Sequence, residues 1–343
     1  MSLTIISAQT HDQKSSLAGI IARSATVFCV DEIVVLDDLG PSHAGNQSDF
    51  YASQDASSGY DGYKDPANFL YHLLSYLETP PYLRKELFGR HENLRTAGAL
   101  PSLDAPHHLK RDEWCQYREG VASDPIVGAG THHTQLQTTR KHAHERRSQT
   151  EAELKQGTLI NAGFQAITSF SVPCGARVTL KFPSSNASPI HSENAAPIPA
   201  DIIDPALPKE EAGYYWGYTV RLARSLSAVF TECIYEGGYD VSIGTSERGV
   251  PLSSILRGDN SSDGLPSRYG HCLILFGGPA GLESAVDTDE ELINTGLSKH
   301  NVSSLFDFWV NVLPQQGSRT IRTEEAIWIA LTALRDWTVE AGL

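Results

Sequence analysis

The chain has 343 residues, 40% hydrophobic and 20% charged, with a net charge of −14. That is ordinary globular composition, long enough for two domains of roughly 100–200 residues each. The acidity counts against a nucleic-acid binder, since a strong phosphate binder usually shows a basic face. Five scattered cysteines, Cys29, Cys115, Cys174, Cys233 and Cys272, form no CxxC pair. They argue against a disulfide framework or a zinc knuckle and for a reducing compartment. The first residues, MSLTIISAQTHDQK, lack the basic and apolar regions of a signal peptide. No apolar run is long enough to span a bilayer, so a soluble intracellular protein is expected.

The charge is uneven. Residues 1–99 carry −5 (7 basic, 12 acidic), 100–210 carry −1 (11 and 12), and 211–343 carry −8 (9 and 17). The middle third holds seven of the thirteen histidines, and Arg140, Lys141, Arg146 and Arg147 cluster there with His142 and His144.

In chain order, residues 3–6 are a short strand candidate. Residues 14–28 follow helical spacing, with Leu17, Ile20, Ile21, Ala25 and Phe28 on one face. Residues 30–36 read as a strand, which makes a βαβ unit and a parallel sheet. Residues 40–63, rich in Ser, Gly, Asp and Tyr, read as a mobile loop. Pro66 opens a helix with Phe69, Leu70, Leu73, Leu74 and Leu77 on its apolar face, ended by Pro80-Pro81. A short helix follows at 82–88.

From about 100 to 210 the texture changes to short strands, VASDPIVG, GTLINAG, FQAITSF and ARVTLKF. They are punctuated by glycine and proline and interrupted by polar loops at 129–152 and 183–200. Val178, Leu180 and Phe182 alternate on one face. The spacing predicts a small β-barrel. At about 211 the α/β texture returns. YYWGYTV reads as a strand, then a helix aligns Leu222, Leu226, Val229 and Phe230. YDVSIG is a strand before the loop TSERG, and CLILFGG is a buried strand ending in glycines. Residues 306–312 form another buried strand, stopped by Pro314. After the turn Gln315-Gln316-Gly317-Ser318, Thr323 is the cap candidate of a final helix, with Glu324 and Glu325 as dipole-compensating acids in its first turn. The expected fold class is α/β, with residues 1–100 and 211–343 forming one domain and 101–210 an inserted β domain.

FCVDEIVVLDD (28–38), YLRKELF (82–88), DAPHHL (104–109), WGYTVRLA (216–223), IGTSERG (243–249), LFGGPAGLE (275–283) and QGSRTIRTEEA (316–326) together resemble the eukaryotic and archaeal RNA methyltransferases of the SPOUT superfamily. The resemblance covers nearly the whole chain and keeps motif order. It implies a SPOUT fold with a C-terminal trefoil knot, an OB-like insertion, and S-adenosylmethionine as cofactor. It also implies a dimer, with itself or a paralogue, no membrane, ribosomal RNA or a pre-ribosome as partner, and a nuclear, nucleolar location. Three loops would grip the cofactor bent, through backbone groups: 245–249, 277–283 and 311–322. The cofactor residues it implies are Thr245, Phe276, Gly277, Gly278, Gly281, Asn311, Gln316, Gly317, Ser318, Thr320, Ile321 and Thr323. The family pattern carries a glycine before the Gln316-Gly317 pair, where this chain has Gln315, a departure that bears on loop shape and affinity.

The chemistry reads as follows. S-adenosylmethionine has no phosphate, so no phosphate-cradling GxGxxG is needed, and none occurs at a strand–helix junction. The four glycines, Gly277, Gly278, Gly281 and Gly317, allow close backbone approach and positive φ. Methylation of a base nitrogen, with uridine N3 as the choice, needs a proton removed and developing charge met by a cation. Arg248, then Arg319 and Arg322, are the candidate cations, and Glu247 or Glu283 the candidate base. Each arginine has an alternative reading as a surface ion pair. Asn311 orients a loop by hydrogen bonds. His107-His108 lack a third metal ligand at matching spacing, and His132, His133, His142 and His144 read as solvated. Tyr214, Tyr215 and Trp216 fit either a base-stacking platform or a core strand. A catalytically silent scaffold or paralogue partner is the alternative to an enzyme; the net acidity and Gln315 point to it, while the intact SERG and GSRTIRTEE motifs point to catalysis.

Overall fold

A computed structural model describes residues 8–37, 61–62, 64–110, 113–123, 157–183, 196–257, 264–278 and 281–342. The strand at 3–6, the loop at 40–60, the basic cluster at 140–147, His132 and His133 lie outside them. In chain order the elements are α1 (His11–Val27), β1 (Glu32–Leu36), α2 (Pro66–Glu78), α3 (Arg84–Leu87), β2 (Tyr117–Ala122), β3 (Thr158–Asn161), β4 (Gln165–Thr168) and β5 (Arg177–Lys181). There follow β6 (Ile198–Pro199), β7 (Asp201–Ile203), α4 (Leu207–Ala212), β8 (Thr219–Ala223), α5 (Leu226–Thr231) and β9 (Val241–Pro251). Last come α6 (Leu252–Arg257), β10 (Cys272–Phe276), α7 (Glu283–Val286), α8 (Glu290–Asn294), β11 (Phe308–Asn311) and α9 (Thr323–Ala341). The chain is thus mixed α/β. It divides into two compact units, one of Met1–Glu78, Arg90–Leu103 and Tyr218–Leu343, the other of Thr79–Gly89 and Asp104–Gly217. Among the described residues no helix is long and apolar enough to cross a membrane.

The first unit is built on parallel strands. β1 pairs with β8, and β9 lies between β10 and β11, parallel to both. Helix α1 starts with a capping box: Gln13 N donates to Thr10 Oγ1 at 3.2 Å, and Thr10 N donates to Gln13 Oε1 at 3.2 Å. Its buried stripe is Ala18, Ile21, Ala22 and Ala25, one position away from the expected face, and Ile20 is exposed. Small residues let α1 lie close to α2, whose Phe69, Leu70, Leu73 and Leu74 are fully buried.

Three expected elements are corrected. Leu222 belongs to strand β8, not to the following helix, because the cap signal is Ser225, whose Oγ accepts from Ala228 N at 3.1 Å. The YYWGY part of YYWGYTV precedes that strand. Strand β11 is also shorter than expected: Phe306 is buried before it begins, and pairing stops at Asn311, ahead of Pro314.

The second unit is a six-stranded sheet in the order β6-β4-β3-β2-β5-β7. Edge strands β6 and β7 are separated only by Ala200, so the chain steps from one edge to the other in a single residue. The sheet is therefore nearly closed, as the short-strand texture predicted. Both edge strands fall at or beside the expected polar loop at 183–200, because two or three residues are too few to show a period. Leu180 and Phe182 are buried and Val178 packs on the same cluster. Beneath lies a satisfied ionic group: Glu119 accepts from Arg177 Nε, Thr179 Oγ1 and Trp216 Nε1, each at 2.7 Å. Trp216 is thereby a core residue, and Tyr215 is buried with it, while Tyr214 is exposed. Arg118, fully buried, donates to the carbonyls of Ala162, Glu113 and Lys110 and lies over the Tyr82 ring at 4.6 Å.

Removing Glu119 strands three donors, so Glu119→Ala should lower the urea-unfolding free energy by about 3 kcal/mol; a loss within experimental error would contradict the packing described. In the first unit, burial and the neighbouring His91 hold His72 at about 3, below its ordinary 6.5. The unfolded chain takes that proton below 6.5 and the folded chain does not until about 3, so stability is complete above 6.5 and falls as pH drops through that window. Melting temperature should fall from pH 6 to pH 4, with a shallower slope in His72→Gln.

Candidate functional site

Strand β9 carries the first component of the site. It pairs with β11 at Ile243 and Gly244, and again at Val250 and Pro251, against four consecutive residues of β11. Residues 245–249 therefore have no partner in that register and stand out from the ladder, although Thr245 still faces Phe276 of β10. The expected loop TSERG is an outward excursion inside one long strand. A period-2 pattern cannot show it, because the excursion is set by the neighbour's register. Gly249 makes it possible: a Cβ there would lie 2.3 Å from the backbone carbon of Val310.

The second component is the turn after β10. Gly281 takes φ 77° and donates its N–H to Gly278 O at 2.9 Å. A Cβ on Gly277 would meet the Gly281 backbone at 2.8 Å, so the turn closes only without one. Gly317 takes no positive φ and has open space where a Cβ would stand, so no contact among the described residues requires a glycine there. The third component is the segment from Asn311 to α9. Gln315 adopts φ 61°, the left-handed conformation that a glycine supplies without strain. A glutamine in this conformation carries a backbone cost of roughly 1 kcal/mol.

Side chains tie these components together. Thr245 Oγ1 donates to Leu275 O at 3.0 Å, Asn311 Nδ2 to Glu247 O at 2.9 Å, and Thr323 Oγ1 to Gly277 O at 3.1 Å. Thr323 is the first residue of α9 and not its cap; Arg322 holds the cap position, where its N–H donates to Glu325 Oε2 at 2.9 Å. Asn311 also accepts from Leu313 N at 3.0 Å, so it braces both sides of its loop, as its place at a strand end suggested.

The three components and α1 enclose a cleft of about 930 Å³, within the roughly 300–1,000 Å³ range of small-molecule sites. Thr245, Glu247, Arg248, Phe276, Gly277, Gly278, Gly281, Glu283, Asn311, Gln316, Thr320, Ile321, Arg322 and Thr323 all line it. Gly317, Ser318 and Arg319 are exposed and do not; Ser318 Oγ donates instead to Thr320 O at 2.8 Å. Arg248 Nη1 stands 3.6 Å from Glu283 Oε1, with the arginine three-quarters exposed. That pair is weak in water and free to exchange partners.

Sequence reasoning missed one wall and one acid. Gln13, Ser16, Leu17 and Ile20 of α1 line the cleft, which explains why Ile20 leaves the core stripe. Glu324, read as a dipole-compensating acid of the first turn, is buried against the same cleft. Its i, i+3 relation to Ile327 was the available signal, since both fall on the buried face of α9. By contrast, Glu325 is the exposed cap partner expected of a first-turn acid.

The arrangement fits S-adenosylmethionine. Turns at 277–281 and 311–323 present backbone groups, Gly277 leaves no side chain in the way, and Glu247, Glu283 and Glu324 suit a cationic ligand. The hydroxyl hydrogens of Thr245 and Thr323 are committed to carbonyls, so these residues would shape the turns and offer only lone pairs.

Comparisons with known proteins agree with this chemistry. A family model described as "Putative RNA methyltransferase" matches residues 2–334. A mouse protein named 28S rRNA (uridine-N(3))-methyltransferase is 39% identical over 338 residues, covering 98% of this chain and 74% of its own. Human and Drosophila melanogaster proteins of the same name are 36% and 37% identical over 337 and 332 residues. They match over 98% and 96% of this chain, and over 76% and 59% of their own lengths.

Gly277→Ala should cost about 1–3 kcal/mol in urea unfolding, because its Cβ forces the 277–281 turn open. An unchanged unfolding midpoint would show that the turn is not closed as described.

Proposed function

This chain belongs to that family of RNA methyltransferases, and from that premise we propose that it methylates N3 of a uridine in large-subunit ribosomal RNA with S-adenosylmethionine as donor. The observation that carries the reading is one cleft in which three backbone turns meet beside two arginines and three carboxylates. The donor supplies an electrophilic methyl group on a sulfonium. This chain's residues bind it, keep it bent and bring the base to it.

Uridine N3–H is a weak acid that keeps its proton at neutral pH, so N3 attacks only as that proton leaves, and the negative charge then shared with the uracil carbonyl oxygens has to be met until methyl transfer discharges it. Arg248 and Arg322, both at the cleft, are placed for that role. As RNA enters, Arg248 exchanges Glu283 for the base or a phosphate, a small step because the pair is exposed. Glu283, once released, or Glu247 takes the N3 proton. Arg319 lies off the lining, and its role here is to meet the RNA backbone.

The same reading includes a SPOUT fold with a C-terminal trefoil knot, an OB-like second unit, a homodimer or a heterodimer with a paralogue, and a nucleolar location. What supports the first two is the parallel arrangement of β9, β10 and β11 and the nearly closed sheet.

The test is transfer of labelled methyl to ribosomal RNA that lacks the modification, with the product nucleoside identified by mass spectrometry. Wild type should yield N3-methyluridine. Arg248→Ala should lose roughly 100-fold or more. Equal rates would remove Arg248 from the site, and no transfer by wild type would leave the scaffold reading in its place.

A further inference from the structure

Glu324 is only 3% exposed, lines the cleft, and has an Oε2 with no hydrogen-bond partner among the described residues. Its neighbour shows the contrast. Glu325 does what a first-turn acid ordinarily does, accepting the Arg322 N–H from an exposed position. Glu324 is turned the other way. The dipole of α9 steadies its negative charge, yet a dipole gives no directed hydrogen bond. A buried carboxylate oxygen without one weakens the free protein. Such groups are retained where a ligand completes them.

Neither arginine of the cleft donates to that oxygen. Arg248 faces Glu283, and Arg322 is exposed at the helix start. What would complete Glu324 is an N–H or O–H of whatever occupies the cleft. Resting on the reading that this is S-adenosylmethionine, the geometry points to Glu324 as a donor-binding residue. It accepts a hydrogen bond from either a ribose hydroxyl or the α-ammonium of the bound donor. The backbone turns would serve any adenosyl compound of similar shape, and Glu247 and Glu283 stand less buried than Glu324. Glu324 adds the one buried charge that selects for a hydrogen-bond-donating group at that point.

The experiment is calorimetric titration of the full chain with S-adenosylhomocysteine and with 5′-methylthioadenosine, which keeps the ribose and lacks the amino-acid end. Wild type, Glu324→Gln and Glu325→Gln are compared, each first melted without ligand. Glu324→Gln should melt at or above wild type, since it removes an unpaired buried charge, and should bind S-adenosylhomocysteine roughly tenfold or more weakly. Glu325→Gln should bind as wild type does. Weakening toward both compounds assigns the contact to the ribose; weakening toward S-adenosylhomocysteine alone assigns it to the ammonium. Unchanged affinity in Glu324→Gln overturns this assignment while leaving the cofactor reading intact. Failure of wild type itself to bind S-adenosylhomocysteine overturns both.

Discussion

Three hydrogen bonds from side chain to backbone hold the cleft in shape. Thr245 reaches the end of β10, Asn311 reaches the β9 excursion, and Thr323 reaches the turn after β10. The last two each join two of the three segments, and the first ties β9 to the strand that leads into the turn, so no turn can move without disturbing its neighbours. Their energies are modest singly, roughly 1 kcal/mol apiece. Their importance is geometric: methyl transfer depends on alignment, and misplacement by an ångström is enough to lose it.

Close backbone approach supports those bonds. Gly249 lets β9 rejoin β11 after its excursion, and Gly277 lets the neighbouring turn close. The turns of the cleft are thus main chain fastened by three side chains, with α1 as a further wall and Glu324 buried beside them. That division of labour suits a ligand without phosphate. In the reading proposed above it leaves Arg248 and Arg322 at the cleft to meet RNA, so that a chain with net charge −14 would work on a polyanion through local cations and not through its overall charge.

Much of this was legible in the sequence. Pro66 and the leucines behind it announced α2, the alternation around Leu180 announced β5, and the glycines after Phe276 announced a tight turn. The failures have particular causes. Leu222 keeps helical spacing with Leu226 and Val229, so periodicity alone moved it into the wrong element. The stripe of α1 rests on alanines, which carry little hydropathy signal, and Ile20 stayed out of it to face the cleft. The excursion at 245–249 depends on a register set more than sixty residues away. Glu324 and Glu325 are adjacent and chemically identical, so only the direction of the helix face, fixed by packing, separates a cleft residue from a cap.

The central claim is that the segments 245–249, 276–283 and 311–323 close together around a methyl donor. Hydrogen–deuterium exchange with and without S-adenosylhomocysteine tests it most directly. The account predicts slower exchange in all three segments at once and at the start of α9, with β2 to β7 unchanged. Protection confined to β2–β7, or none at these three segments while the compound is bound, would contradict it.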